Sequence, residues 1–282
     1  MNGLTVQEVV LGEREFRRIS DLVYEHCGIN LHDGKKELVR ARLAKRLREG
    51  RFQTFSQYIR HVLDDPTGRE FSVLVDSLST NLTKFFREGQ HFEFLRTRFL
   101  PSLLELKRKR RDFRLRGWSA GCSSGEEPYS IAITLLESVL GTGRWDIKLL
   151  ATDISTRVLE RAHAGLYEPQ RIEPISLPLR TKYLTRRRGD RGDVYEVKPT
   201  LRDVVVFRYL NLMGDWPIKG PIDFIFCRNV MIYFDKPTQG RLIQRFYDLL
   251  APGGVLFTGH SESLTGIEHE FSYVQPTIYR KP

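Results

Sequence analysis

The residues best suited to chemistry fall in one run, Gly117-Trp118-Ser119-Ala120-Gly121-Cys122-Ser123-Ser124-Gly125-Glu126-Glu127-Pro128-Tyr129-Ser130. Its glycines let a ligand approach the backbone, and the helix expected to begin at its end offers unpaired N–H groups. The spacing is neither G-x-G-x-x-G nor a loop closing in Gly-Lys-Ser/Thr, so the dinucleotide fingerprint and the P-loop are both missing. Instead Glu126 and Glu127 stand at the helix start, where they repel phosphate and attract a cation. A nucleoside ligand with positive charge suits such a site; S-adenosylmethionine, with a sulfonium and an ammonium, is the common one. The plainer reading is that both glutamates complement the helix dipole.

Other ligand groups fall at the ends of expected strands, where open parallel sheets hold their ligands. Asp153 closes the run Ile147–Asp153 and can accept from ribose hydroxyls, or cap the helix that follows. Asn211 and Leu212 offer an amide and an apolar wall to an adenine. Arg228 and Asn229 follow the strand 222–227, and Tyr233, four residues beyond Asn229, either faces a reacting centre or is a core tyrosine. Asn81, Thr83 and Arg87 lie in a polar and aromatic hinge, and ligands often sit at domain junctions. His260 has no partnered nucleophile and reads as structural.

The elements that must position these groups come in two blocks. Residues from about 5 to 75 carry only helical periodicity: Glu13–Cys27 with Gly28 as its stop, Lys35–Arg51, Phe52–Leu63, then Phe71–Leu78. Further on, helix 91–106, strand 113–119, helix 127–140, strand 147–153, helix 155–164, strand 204–209, strand 222–227, helix 237–250 and strand 254–259 alternate. They end in a hairpin, 271–274 with 277–280. This pattern predicts an α/β fold, a mostly parallel sheet with an antiparallel C-terminal hairpin. The expected division is a helical domain at 1–78, a linker at 79–90 and a sheet domain at 91–282. A small antiparallel excursion, about 166–203, interrupts the sheet domain, with Arg186–Asp193 read as its polar loop.

Composition narrows the class. The 282 residues are 40% hydrophobic, enough for a real core, and no run approaches the roughly 18 apolar residues of a membrane helix. Met1–Thr5 lacks the basic and apolar regions of a signal peptide. Cys27, Cys122 and Cys227 are odd in number and far apart, which argues against a disulfide framework or a zinc site and for the cytoplasm. No metal is expected. The net charge of +10 calls for an anionic partner. Between Lys35 and Arg51, eight basic residues face only Glu37 and Glu49, with Arg42, Lys45 and Arg46 off the apolar stripe. This predicts a basic amphipathic helix. Lys107–Arg111 reads as a solvated connector.

Taken together, Thr80–Glu88, Ser123–Ser130, Ala151–Ile154, Phe226–Phe234 and Gly259-His260-Ser261-Glu262 resemble the motifs of the CheR family of chemotaxis-receptor methyltransferases, in the right order over nearly the whole chain. The resemblance implies the class I S-adenosylmethionine-dependent methyltransferase fold with a helical N-terminal domain and an inserted β-subdomain. It implies methyl transfer to glutamate side chains of methyl-accepting chemoreceptors. Carried onto this sequence, it assigns cofactor contacts to Asn81, Thr83, Arg87, Glu127, Asp153, Asn211, Leu212, Arg228 and Asn229. It puts Tyr233 near the transferred methyl, with Arg87 also in the catalytic set, and turns Arg42, Lys45 and Arg46 toward the receptor. S-adenosylhomocysteine would be the product and a monomer the working form. In some members the β-subdomain tethers a C-terminal receptor pentapeptide; the loop Arg186–Asp193 is more charged here than such a site leads one to expect.

Three other readings are weaker. A nucleic-acid methyltransferase would explain the charge, but Cys227-Arg228-Asn229-Val230 replaces the Asn/Asp-Pro-Pro-Tyr type motif of base amino methylation, and no aromatic-interleaved basic strand occurs. A non-enzymatic adaptor would need a broken site, yet Glu127, Asp153 and Tyr233 are all present. A dehydrogenase lacks its pyrophosphate loop.

Overall fold

Glycine closes the first helix where the sequence predicts. In the computed structural model, which describes residues 9–79, 81–189 and 192–282, α1 runs Glu13–Cys27 and Gly28 turns left-handed at φ 73°, donating its N–H to Tyr24 O at 2.8 Å. The reading of Met1–Thr5, Thr80 of the hinge motif, and Asp190 and Arg191 of the polar loop lie outside the described residues.

The chain forms two compact units, residues up to 80 with Tyr233–Asp235, and 81–232 with 236–282. The first holds α1, α2 (Lys36–Glu49), α3 (Phe55–Asp64) and α4 (Arg69–Leu78). Helical spacing buries Phe16, Ile19, Leu22 and Val23 of α1, Val39, Leu43 and Leu47 of α2 and Phe55, Tyr58, Ile59 and Val62 of α3, with α1 packed on α3 and both α2 and α3 on α4. Each such apolar side chain contributes about 1.5–3 kcal/mol when fully buried. The segment Tyr233–Asp235 is tied into this unit by Asn30 N–H to Tyr233 O at 2.7 Å and Tyr24 Oη to Asp235 Oδ2 at 2.7 Å.

The basic face of α2 is narrower than its composition. Arg46 donates to both carboxylate oxygens of Glu70, and Arg42 Nη1 donates to Leu78 O. Of the three residues singled out in the sequence, only Lys45 projects well clear, at 78% exposure. Arg46→Glu therefore sets a carboxylate against Glu70 and should lower the stability of the helical unit by roughly 2 kcal/mol or more, whereas Lys45→Glu should change its thermal melt little; comparing the two melts checks this.

In the second unit, α5 (Gly89–Phe94) passes through a π-helical turn at Leu95–Phe99 into α6 (Leu100–Lys109). Then come β1 (Arg114–Ala120), α7 (Glu126–Val139), β2 (Asp146–Asp153) and α8 (Thr156–Ala164). The insertion holds β3 (Leu166–Tyr167), α9 (Pro169–Ile172), α10 (Leu177–Tyr183), β4 (Leu184–Gly189), β5 (Gly192–Val197) and α11 (Pro199–Arg202). After it follow β6 (Val205–Tyr209), β7 (Ile222–Cys227), α12 (Lys236–Leu249), β8 (Leu250–Thr258), β9 (Ser272–Gln275) and β10 (Ile278–Arg280). The large sheet has the order β6-β2-β1-β7-β8-β10-β9, parallel through β8 and antiparallel in the final hairpin. All six residues of β7 are buried, and all but Asp223 are apolar, as expected of a central parallel strand covered on both faces.

Two expectations change. Arg186–Gly189 belong to β4, an edge strand of a three-stranded antiparallel sheet ordered β3-β5-β4: the ladder runs from Leu184 opposite Val197 to Gly189 opposite Gly192, and Arg186 and Arg187 meet Asp193 and Glu196 on its diagonals. Arginines facing acids across strands hide a strand inside what composition alone marks as a loop. Lys107 is no solvated connector. At 13% exposure it lies 2.8 Å from Asp223, a buried carboxylate at the start of β7.

Candidate active site

Parallel pairing gathers residues that are far apart in sequence. Ala120 stands beside Thr152, Ser119 beside Phe226 and Cys227 beside Thr258, so the loops leaving β1, β2, β7 and β8 emerge at one edge. The strand order reverses between β1 and β7, and open α/β sheets place ligands at the carboxyl side of such a switch point.

The β1–α7 loop needs its glycines. Gly121 takes φ 84° and a Cβ there would meet Val230 Cγ2 at 2.3 Å; Gly125 takes φ 98°, with Tyr167 Oη 2.6 Å from the same hypothetical atom. Structure then separates the two glutamates. Glu126 is fully buried and turns toward the insertion, accepting from Ser124 Oγ at 2.7 Å and from Arg171 of α9. Glu127 turns toward the switch point: Oε1 accepts from Ser119 Oγ at 2.7 Å and Oε2 from Arg228 Nη1 at 3.1 Å. Burial raises its carboxyl above the ordinary range, only partly offset by Arg228 and Ser119.

Arg228 is enclosed by acceptors. Its side chain is 1% exposed, 3.0 Å from Glu88 and 3.1 Å from Glu127, and Nη2 donates to Arg87 O at 2.5 Å. Burial pushes Glu88 upward, but the Arg228 guanidinium brings it below its usual value. His91, pressed down to about 3 by burial and then by Arg228, is a neutral ring with Nε2 2.7 Å from Thr277 Oγ1. Glu88, His91 and His260 bring donor atoms within 4.8 Å of one another. Arg228 already meets Glu88 there, and a dication would stand against that guanidinium, so the cluster reads as charge pairing. Arg87, its side chain 35% exposed, donates Nη1–H to Leu82 O at 3.0 Å.

Asp153 ends β2 as expected and binds protein on both sides: Oδ2 accepts from Ser123 N–H at 2.8 Å, Oδ1 from Ser155 N–H at 2.9 Å. It thus fixes the glycine loop as well as the approach to α8. Ser123 Oγ in turn donates to Asn81 O at 2.9 Å, and Phe86 N–H donates to Ser130 Oγ at 2.9 Å, which pins the hinge that carries Thr83 to the start of α7. Asn211 Oδ1 accepts from Met213 N–H at 2.9 Å, and the turn is held from α12, where Arg245 donates to Leu212 O at 2.8 Å and lies 3.7 Å over the Trp216 ring. Asn229, at φ 60°, donates its N–H to Glu262. Tyr233 falls in the helical unit.

Sequence reasoning gave no role to Glu88, Ser119, Arg171, Trp216, Arg245 or Glu262. Glu88 stands next to Arg87 and Glu262 two residues beyond His260 in the motifs named above, which is a signal for two of them; the others become legible only through tertiary contacts, Ser119 with Glu127, Arg171 with Glu126 and Arg245 with Trp216.

A sheet of this order, with a buried carboxylate at the β1–α7 junction and an aspartate closing β2, defines a class I S-adenosylmethionine-dependent methyltransferase. Residues 81–280 match the family model described as the CheR methyltransferase SAM-binding domain, and residues 14–79 match that of the CheR methyltransferase all-alpha domain. Among relatives, the chain is 43% identical over 276 residues to "Chemotaxis protein methyltransferase 2" of Pseudomonas aeruginosa, covering 97% of this chain and 95% of that protein. It is 41% identical over 276 residues to "Chemotaxis protein methyltransferase" of Escherichia coli, covering 97% and 92%. The chain belongs to the CheR methyltransferase family. Among the described residues no helix is long and apolar enough to cross a membrane.

Proposed function

We propose that this enzyme methylates glutamate side-chain carboxylates in the cytoplasmic part of a methyl-accepting chemoreceptor, yielding methyl esters in chemotactic adaptation. The observation that carries this reading is near-full-length similarity to chemotaxis protein methyltransferases. The site is chemically suited to the methyl donor: Glu127 is a largely enclosed carboxylate facing Ser119 and Arg228, Asp153 has carboxylate acceptors at the end of β2, and Leu212 is apolar and buried. When bound, S-adenosylmethionine supplies an electrophilic methyl on sulfur.

In this proposal Glu127 holds the ammonium and Asp153 the ribose, with Asn81 and Thr83 beside them. Asn211 and Leu212 border the adenine. Arg228, already enclosed, orients Glu127 and favours its ionised form against burial, which leaves the cofactor carboxylate to Arg87, and Asn229 completes the strand-end contacts. The acceptor glutamate, with an ordinary pKa of about 4.3, is ionised at neutral pH, so no general base is required. Removing its water and aligning it with the methyl can supply about 7–11 kcal/mol. The exposed cations of α2, Lys45 foremost, suit an acidic receptor surface. The edge strand β4 suits an extended receptor C-terminal peptide added as a strand, with Arg186 and Arg187 committed to pairs across the ladder.

Two measurements test this. Calorimetric titration with S-adenosylhomocysteine should give micromolar binding, and Asp153→Ala should weaken it by about 1–3 kcal/mol; unchanged affinity would mean that the ribose is held elsewhere. Methyl transfer from labelled donor to a receptor cytoplasmic fragment should give base-labile label that disappears when its acceptor glutamates are replaced by alanine. Label that survives base, or that enters nucleic acid instead, would overturn the acceptor.

A further inference from the structure

Glu262 is 5% exposed, and backbone N–H groups surround its carboxylate. Oε2 accepts from Asn229 N–H at 2.7 Å and Gly259 N–H at 2.6 Å, and Oε1 accepts from Ile232 N–H at 3.1 Å, with Val230 N–H adding to them. The acid stitches the loop after β8 to the loop after β7. Its own loop is shaped to let this happen: Thr258 Oγ1 donates to Glu262 O at 2.7 Å, and a Cβ on Gly259 would stand 2.6 Å from Asn229 Nδ2 and 2.7 Å from Glu262 Oε2. Asn229 is held at φ 60°, a left-handed conformation that asparagine tolerates better than other non-glycine residues.

We infer that Glu262 is a positioning residue for cofactor binding: by gathering the N–H groups of Asn229 and Ile232, it fixes the run that carries Arg228 and Asn229 and leads into Tyr233. The inference rests on the methyltransferase reading of those residues. A carboxylate has two acceptor oxygens and no hydrogens. Glutamine has one acceptor oxygen and two N–H groups of its own, so the backbone donors that face its amide nitrogen lose their acceptor and meet N–H groups instead. Aspartate keeps the charge and both acceptors but is one methylene shorter.

The experiment uses the full chain and S-adenosylhomocysteine as probe. Glu262→Gln should remain folded and raise the dissociation constant at least tenfold, and in methyl transfer it should raise KM for S-adenosylmethionine more than it lowers kcat. Glu262→Asp should recover part of the loss. Asp223→Asn is the control, since Asp223 is equally buried but at the opposite end of β7, where it accepts from Arg116 N–H at 2.8 Å and pairs with Lys107. It should lower the melting temperature and leave the dissociation constant within twofold. A folded Glu262→Gln within twofold of wild type overturns the inference, as does an equal loss in Asp223→Asn, which would make the effect one of stability. If Glu262→Gln does not fold, Glu262→Asp decides by the same twofold criterion. Wild-type protein that binds no S-adenosylhomocysteine removes the methyltransferase reading and the inference with it; tight wild-type binding with an unaffected variant removes the inference alone.

Discussion

Arg228→Met will destabilise the sheet unit by about 3–5 kcal/mol, the usual cost of removing one partner from a buried charge group, and will abolish cofactor binding. The guanidinium is 1% exposed, and its two carboxylate partners, Glu88 at 9% and Glu127 at 12%, are nearly as enclosed. Methionine fills the space but leaves two buried anions without a cation, and Arg87 O loses a donor at 2.5 Å. The pH dependence gives a second reading. In wild type Glu88 is held below its ordinary value, so the stability it contributes is present above the unfolded pKa and fades as pH falls through the folded one. In Arg228→Met that depression is gone. Both carboxyls then bind protons more readily when folded, and the deficit against wild type should be largest at neutral pH and shrink on acidification. Thermal melts of both proteins across pH 5–8 check this. A deficit that is constant with pH would place the cost in packing rather than in charge.

Glu127→Gln should weaken S-adenosylhomocysteine roughly 10- to 150-fold, the equivalent of a charged hydrogen bond worth about 1.5–3 kcal/mol, with far less loss of stability. An amide can present its oxygen to Arg228 and its N–H to Ser119 Oγ, so both neighbours stay satisfied. Burial raises the Glu127 pKa, which means that its ionised form costs folding stability as pH rises through the folded value, and neutralising it removes that cost. The same shift fixes the binding profile. As pH falls from neutral, Glu127 should protonate before an ordinary glutamate and ligand affinity should drop; the glutamine variant should lack that limb. Titrations from pH 8 to pH 5 would show the two curves converging. If they instead run parallel, another group holds the ammonium.

The sequence by itself determined the order and type of the elements. Helical spacing placed α1 at Glu13–Cys27 to the residue, and apolar runs between amphipathic helices placed a parallel sheet, because burial on one face or both leaves a period that can be read locally. It also located the glycine loop and Asp153, since strand ends are where such a sheet presents ligand groups. What it could not determine was partnership. Glu126 and Glu127 are adjacent and chemically identical, yet one faces Arg171 and the other Arg228, 45 and 101 residues away. Arg42 and Arg46 belong to a basic run, yet Leu78 O and Glu70 take them. Lys107 looked solvated and compensates Asp223. The arginines of β4 looked like loop, yet they pair in a ladder with β5 and meet Asp193 and Glu196 on its diagonals. For Glu126, Glu127 and Lys107 the deciding energy is a charged contact between groups distant along the chain, strengthened because the fold removes water from around it, whereas the exposed pairs of β4 follow from strand pairing; only the tertiary structure says which groups are brought together.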